Sequence, residues 1–157
     1  MDLLSRYAEW RSVKSSRAIS ARFRLALVGK VSLFAGLTKT ELGQIARLVN
    51  EVEFPAGTQM VKAGEPGHEM FVIVSGEAIV RTGPGRTVRL KAGDFFGEMS
   101  VIDGAPRSAT VEASTPIRLL VLGQRDFWRV LDGTKTIVHK IMRTLCERLR
   151  ETDKYAS

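Results

Sequence analysis

The sequence holds one cysteine, two histidines and no long apolar run, and each scarcity removes a class of protein. With Cys146 alone no internal disulfide forms, which agrees with a reducing compartment, the cytoplasm. Cys146 itself reads as a small apolar residue on a helix, not as a reactive thiol. No stretch of about 18 apolar residues occurs, so no spanning helix is expected. The N-terminus also lacks the apolar core and cleavage site of a secretory signal. His68 reads as a turn residue and His139 as part of the last helix, far apart in the chain, so no metal-ligand spacing exists and no metal is expected. Neither a Gly-x-Ser-x-Gly elbow nor a phosphate loop ending in Gly-Lys-Ser/Thr is present, and the chain is not expected to be an enzyme.

What is present suits one domain: 157 residues give a core and a helical extension or two. The net charge of +7 is unevenly spread. Residues 1–30 hold Arg6, Arg11, Lys14, Arg17, Arg22, Arg24 and Lys30 against Asp2 and Glu9, so most of the excess lies there. The division expected is a basic helical leader over 1–30 and a folded unit over 31–157. A basic leader is open to an acidic protein, to nucleic acid backbone or to an anionic membrane surface; it is equally the solvated face of a helix.

Residues 1–50 contain no proline and carry apolar residues at helical spacing, Leu3, Tyr7 and Trp10 on one stripe and Ile19, Phe23 and Leu27 on another. Helices are expected over 18–28 and 38–49, the second opened by Thr38 with Glu41 completing a capping box. From about Glu53 to Leu122 the period changes. Short apolar runs at 59–62, 71–74, 78–80, 88–90, 109–111 and 117–122 alternate with glycine-bearing turns, the pattern of an antiparallel sandwich or barrel. Helical spacing returns from Gln124, breaks at Asp132-Gly133-Thr134, and resumes through Ile137, Val138, Ile141, Met142, Leu145 and Leu149.

One segment, Gly93 to Thr110, does not fit a core strand. Glu98 and Arg107 are charges amid small and apolar neighbours, and buried charge is unfavourable unless paired or facing a ligand. Gly97 permits close approach of backbone to a ligand, Arg107 offers a planar fork for phosphate, and Ser108 adds a hydroxyl. Glu98 is able to accept hydrogen bonds from a sugar. Two readings follow from these residues: an ion pair between Glu98 and Arg107, or a site for a small, anionic, hydroxylated ligand.

Phe96-Gly97-Glu98-Met99-Ser100 followed by Pro106-Arg107-Ser108-Ala109-Thr110 resembles the phosphate-binding cassette of cyclic nucleotide-binding domains. Val31–Phe34, Gly64-Glu65-Pro66-Gly67, Met70 to Glu77 and Gly93-Asp94 are similar to the family as well, so the likeness spans about residues 30–152. The resemblance implies an α+β fold, an antiparallel β-roll or jelly-roll barrel flanked by N-terminal helices and closed by a C-terminal lid helix. It implies that Glu98 holds the ribose 2′-hydroxyl and Arg107 the cyclic phosphate. It implies that amides around Gly97, Glu98, Met99, Ser108 and Ala109, with the Ser108 hydroxyl, complete the cradle, and that Ser100 belongs to the same site. Val88 falls on a strand that in the family lines the base pocket, and Arg148 and Thr152 match lid-helix residues of catabolite-activator-type regulators. Ser108, where cGMP-selective relatives often carry threonine, tilts the ligand toward cAMP, with cGMP the alternative.

The function expected is therefore a regulatory module that signals through its flanking helices to a protein effector, by way of residues 1–50. The alternatives are a regulatory fragment or subunit of a channel, cyclase or transferase, or a transcription regulator without its DNA-binding domain. Specific DNA binding is not expected of this chain, since no recognition helix follows the lid.

Overall fold

The computed structural model describes residues 19–83 and 85–156, with side chains as far as residue 151. The Leu3, Tyr7 and Trp10 stripe, most of the basic leader and Pro84 lie outside those residues. Helix α1 (Ala21–Val28) is capped by Ser20, whose hydroxyl accepts from the Phe23 amide at 3.1 Å. A 3-10 turn over Ser32–Phe34 then buries Leu33 and Phe34. Thr38 opens helix α2 (Lys39–Ala46) with the expected capping box. The Glu41 amide donates to Thr38 Oγ1 at 3.2 Å, and the Thr38 amide to Glu41 Oε1 at 2.9 Å. Helix α2 stops at Ala46, short of the expected Val49, because Val49 enters the core and Asn50 begins a strand.

Eight strands follow among the described residues: β1 (Asn50–Phe54), β2 (Gln59–Val61), β3 (Glu69–Ser75), β4 (Ala78–Thr82), β5 (Arg86–Leu90), β6 (Phe95–Phe96), β7 (Thr110–Ala113) and β8 (Ile117–Gly123). They form two four-stranded sheets, β1-β8-β3-β6 and β2-β7-β4-β5, antiparallel throughout. Helix α3 (Glu98–Asp103) sits between β6 and β7, and helices α4 (Gln124–Gly133) and α5 (Lys135–Ala156) follow β8. The antiparallel β-roll with flanking helices is the fold class the sequence implied.

The two longest strands explain the layering. In β3, Phe71 and Ile73 face the second sheet, while Met70 and Val72 face the helices. In β8, Leu119 and Val121 point one way and Leu120 and Leu122 the other. A strand buried on both faces reads as a continuous apolar run, and so do 71–74 and 119–122. The helix-side cluster joins Leu27, Val28, Val31, Phe34, Ile45, Phe127, Ile137 and Ile141 over this sheet. The C-terminal end of the leader, Leu27 and Val28, is thus part of the core. Edge strand β5 carries Arg86 and Arg89 and is exposed along most of its length, which guards the sheet against further pairing.

Of the expected apolar face of the last helix, Ile137 and Ile141 are buried, whereas Met142 and Leu149 are 58% and 64% exposed. Cys146 lies on the same helix with its thiol exposed rather than packed.

Candidate functional site

The segment from Gly93 to Thr110 folds as a strand stub, a short helix and a return loop. Strand β6 pairs with β3 only at Phe71–Phe96 and Val72–Phe95, with the Phe71 and Phe96 rings stacked at 4.8 Å. Gly97 then turns the chain out of the sheet at φ +81°, and Gly104 ends α3 at φ +64°. Buried Val101 anchors that helix in the core. The return loop is joined to the β2–β3 loop by backbone hydrogen bonds. Gly64 N donates to Arg107 O at 2.8 Å, Arg107 N to Glu65 O at 2.8 Å, and Gly67 N to Ala105 O at 3.3 Å. Pro66 and Pro106 form a bridge between the same two loops.

This framework holds Arg107 from two sides. A Cβ on Gly97 would stand 2.6 Å from Arg107 Nη1 and 2.8 Å from the Glu69 carbonyl oxygen. A Cβ on Gly67 would meet Arg107 Nε at 2.6 Å and the Ser100 side chain at the same distance. Both positions therefore require glycine for space, and Gly97 also for its positive φ. Arg107 is 8% exposed; its Nη2 donates to the Glu69 carbonyl at 2.8 Å and lies 3.5 Å from Glu69 Oε2. Nη1 is buried with no acceptor among the described residues. Burial lowers the guanidinium pKa from its ordinary value, and the Glu69 carboxylate works the other way. An arginine keeps its charge under such a shift, so the framework fixes a buried cation.

Arg107 and Glu98 do not pair with each other; the carboxylate beside Arg107 is Glu69. Gly97, Glu98, Met99, Ser100, Arg107, Ser108 and Ala109 instead line one cleft of about 190 Å³. Val61, Val80, Phe96 and Val111 line the same cleft. The lining thus combines a cation, a carboxylate and hydroxyls with apolar side chains, which suits an amphipathic anion.

Three expected residues lie elsewhere. Val88 does not line the cleft: it sits on edge strand β5, 52% exposed, directly opposite Val80 and so on the same face one strand further out. Arg148 is on α5, outside the cleft lining, where its guanidinium meets Ser32 Oγ of the 3-10 turn and lies 3.8 Å from Met99 Sδ. Thr152 falls within α5, but its side chain is outside the described residues.

Sequence reasoning missed Glu69, Gly67 and the valines of the cleft lining. Glu69 had a signal, since a carboxylate heading a strand that is otherwise apolar needs a partner. The valines lie on three separate strands, Val61 on β2, Val80 on β4 and Val111 on β7, and look like any core face until the sheets are assembled.

A family model, cyclic nucleotide-binding domain, matches residues 51–134. The chain belongs to the cyclic nucleotide-binding domain family. A cyclic nucleotide-gated potassium channel of Rhizobium etli is 43% identical over 122 residues, covering 78% of this chain and 34% of the channel. The chain therefore spans about a third of the length of that curated relative. Among solved structures, the N-terminal domain of a Streptomyces coelicolor transcriptional regulator superposes with a TM-score of 0.74 at 29% identity, covering 83% of this chain and 95% of that one. The regulatory domain of Toxoplasma gondii PKA, solved with cAMP, gives a TM-score of 0.65 at 25% identity over 83% of this chain and 50% of that one. Within this cyclic nucleotide-binding domain the family match begins inside β1, so α1 and α2 lie outside it although they share its core.

Proposed function

We propose that the cleft binds a cyclic nucleotide, cAMP in preference to cGMP, and that the chain is a non-catalytic receiver working in the cytoplasm. The observation that carries this is Arg107: a buried guanidinium lining the cleft, fixed by Gly67, Gly97 and Glu69, with Nη1 without an acceptor among the described residues. A cyclic phosphate supplies that acceptor and the countercharge together. Glu98 takes the ribose 2′-hydroxyl, with Gly97, Met99, Ser100, Ser108 and Ala109 around the phosphate, and Val61, Val80 and Val111 against the base. The Toxoplasma gondii domain solved with cAMP supports the ligand class.

Helix α5 acts as the lid, and its tethers support that role. Lys140 Nζ lies 2.6 Å from Glu41 Oε1 on α2, while Arg148 meets Met99 of α3 and Ser32. One helix therefore touches both the cleft rim and the N-terminal helices, and ligand that favours one lid position moves the other contacts with it. The receiver takes in α1, whose Leu27 and Val28 share its core, and the basic residues before and along α1 are its connection to an effector protein. The Rhizobium etli channel favours a second reading, in which the chain serves as the regulatory part of a larger channel-like assembly.

Calorimetric titration with cAMP tests the proposal. Replacing Arg107 removes a charge-assisted donor worth about 1.5–3 kcal/mol, so Arg107→Ala should weaken binding roughly tenfold to a hundredfold or more. Because that variant takes the Arg107 cation away from the buried Glu69 carboxylate, the double variant with Glu69→Ala is titrated beside it. Parent-like affinity in both variants refutes the assignment.

A further inference from the structure

A second concavity, of about 500 Å³, lies between α1 and α2, well away from the cassette. Its apolar lining is Ile19 and Leu25 from the α1 side and the small residues Gly43 and Ala46 of α2. Arg22, Arg24 and Arg47 stand around it. Arg24 is held inward, donating to the Val49 carbonyl at 3.3 Å and lying 3.5 Å from Glu51 Oε1. Glu51 also accepts from the Ile19 amide at 2.6 Å and pairs with Arg118 at 2.9 Å, so the start of α1 is tied firmly to the sheet. Arg22 and Arg47 are exposed and form no ion pair among the described residues.

We propose that this groove is a docking site for an acidic amphipathic helix of a partner protein, seated with its apolar ridge on Gly43 and Ala46 and its carboxylates against Arg22 and Arg47. Shape argues for a helix, because a groove between two helices with small residues, Gly43 and Ala46, on one side admits one ridge of side chains, whereas a bilayer surface calls for a convex apolar face. Charge selects the helix. The chain's own segment before Ile19 carries Arg6, Arg11, Lys14 and Arg17 against Asp2 and Glu9 and would set like charges against the arginines, and a second copy, at a net +7, brings no acidic excess to meet them. An acidic partner is the complement. The position suits an output as well, since Glu41 on α2 is the carboxylate that holds Lys140 of the lid helix.

The proposal deepens the receptor reading by giving the effector a surface, but the groove and the cleft are separately testable. The probe is a fluorescent helical peptide with leucine and alanine on one face and glutamates along both edges, its glutamine counterpart serving as control. Anisotropy should show saturable binding of the glutamate peptide only, weakened at least tenfold by Arg22→Glu with Arg47→Glu. Gly43→Leu should block it too: a Cβ there meets nothing within 4 Å, so the helix accepts the side chain while the groove fills. Both variants should retain the cAMP affinity of the parent. Equal binding of the two peptides, no binding of either, or undiminished binding in the variants overturns the groove as the site. Binding to phosphatidylserine vesicles that Gly43→Leu leaves intact, with no peptide binding, overturns it in favour of a lipid surface. Loss of cAMP binding in the parent refutes the receptor reading and leaves the peptide result standing.

Discussion

Gly97→Ala is the substitution that most sharply separates backbone from site. Its φ of +81° lies in the left-handed region, where a Cβ costs about 1–2 kcal/mol. The new methyl would also stand 2.6 Å from Arg107 Nη1 and 2.8 Å from the Glu69 carbonyl oxygen, contacts no real Cβ tolerates. The Glu69 carbonyl is backbone in the middle layer, so Arg107 is the group that yields. Its displacement gives up a charge-assisted bond at 2.8 Å worth about 1.5–3 kcal/mol. Gly57→Ala is the control: its φ is +89°, but a Cβ there meets nothing within 4 Å. Urea unfolding should show a loss of about 1–2 kcal/mol for Gly57→Ala and about 2.5–5 kcal/mol for Gly97→Ala. Only the second should weaken cAMP binding, by about tenfold or more, in a calorimetric titration at a temperature where both remain folded. If Gly97→Ala costs no more than Gly57→Ala and binds cAMP like the parent, Arg107 is not held as described.

Other outcomes follow from the same geometry. Val80→Ser, in the cleft wall, should weaken nucleotide binding more than Val88→Ser at the exposed sheet edge, as read by competition titration. Arg148→Ala removes the link from the lid to Met99 and Ser32, and stopped-flow release of a fluorescent cAMP analogue should become faster without a change in the urea midpoint. The Glu41 carboxyl is held below its ordinary value, first by the hydrogen bond from Lys140 and then by the Thr38 amide. A lowered folded-state pKa contributes stability above the unfolded value, which is lost as pH falls through the folded one. The stability gap between the parent and Glu41→Gln should therefore be full at neutral pH and shrink in acid below the ordinary carboxylate range.

Much of this molecule was legible in its residues, for identifiable reasons. Thr38 and Glu41 announce a helix start because capping chemistry is local. The glycine-punctuated runs announce strands because turn residues act locally too, and the paired blocks around Glu98 and Arg107 marked the cleft. What stayed hidden depends on contacts distant in sequence. Strand β6 is a two-residue stub that pairs with β3 where Phe96 stacks on Phe71. Glu69 became the partner of Arg107 because β3 and the return loop meet, a pairing 38 residues apart. The resemblance pointed to Val88 for the base pocket and left Val80 an ordinary strand residue; the assembled sheet puts Val80 in the cleft lining and Val88 on the edge strand.

The most direct measurement of the central claim is a nitrogen-15 amide and arginine spectrum of the parent chain titrated with cAMP. The account predicts saturable shifts concentrated at Gly97, Glu98, Ser108, Ala109 and the Arg107 side chain, with smaller ones at Val61, Val80 and Val111 and along α5. Saturation without shifts at the cassette, or no saturable change at all, would contradict it.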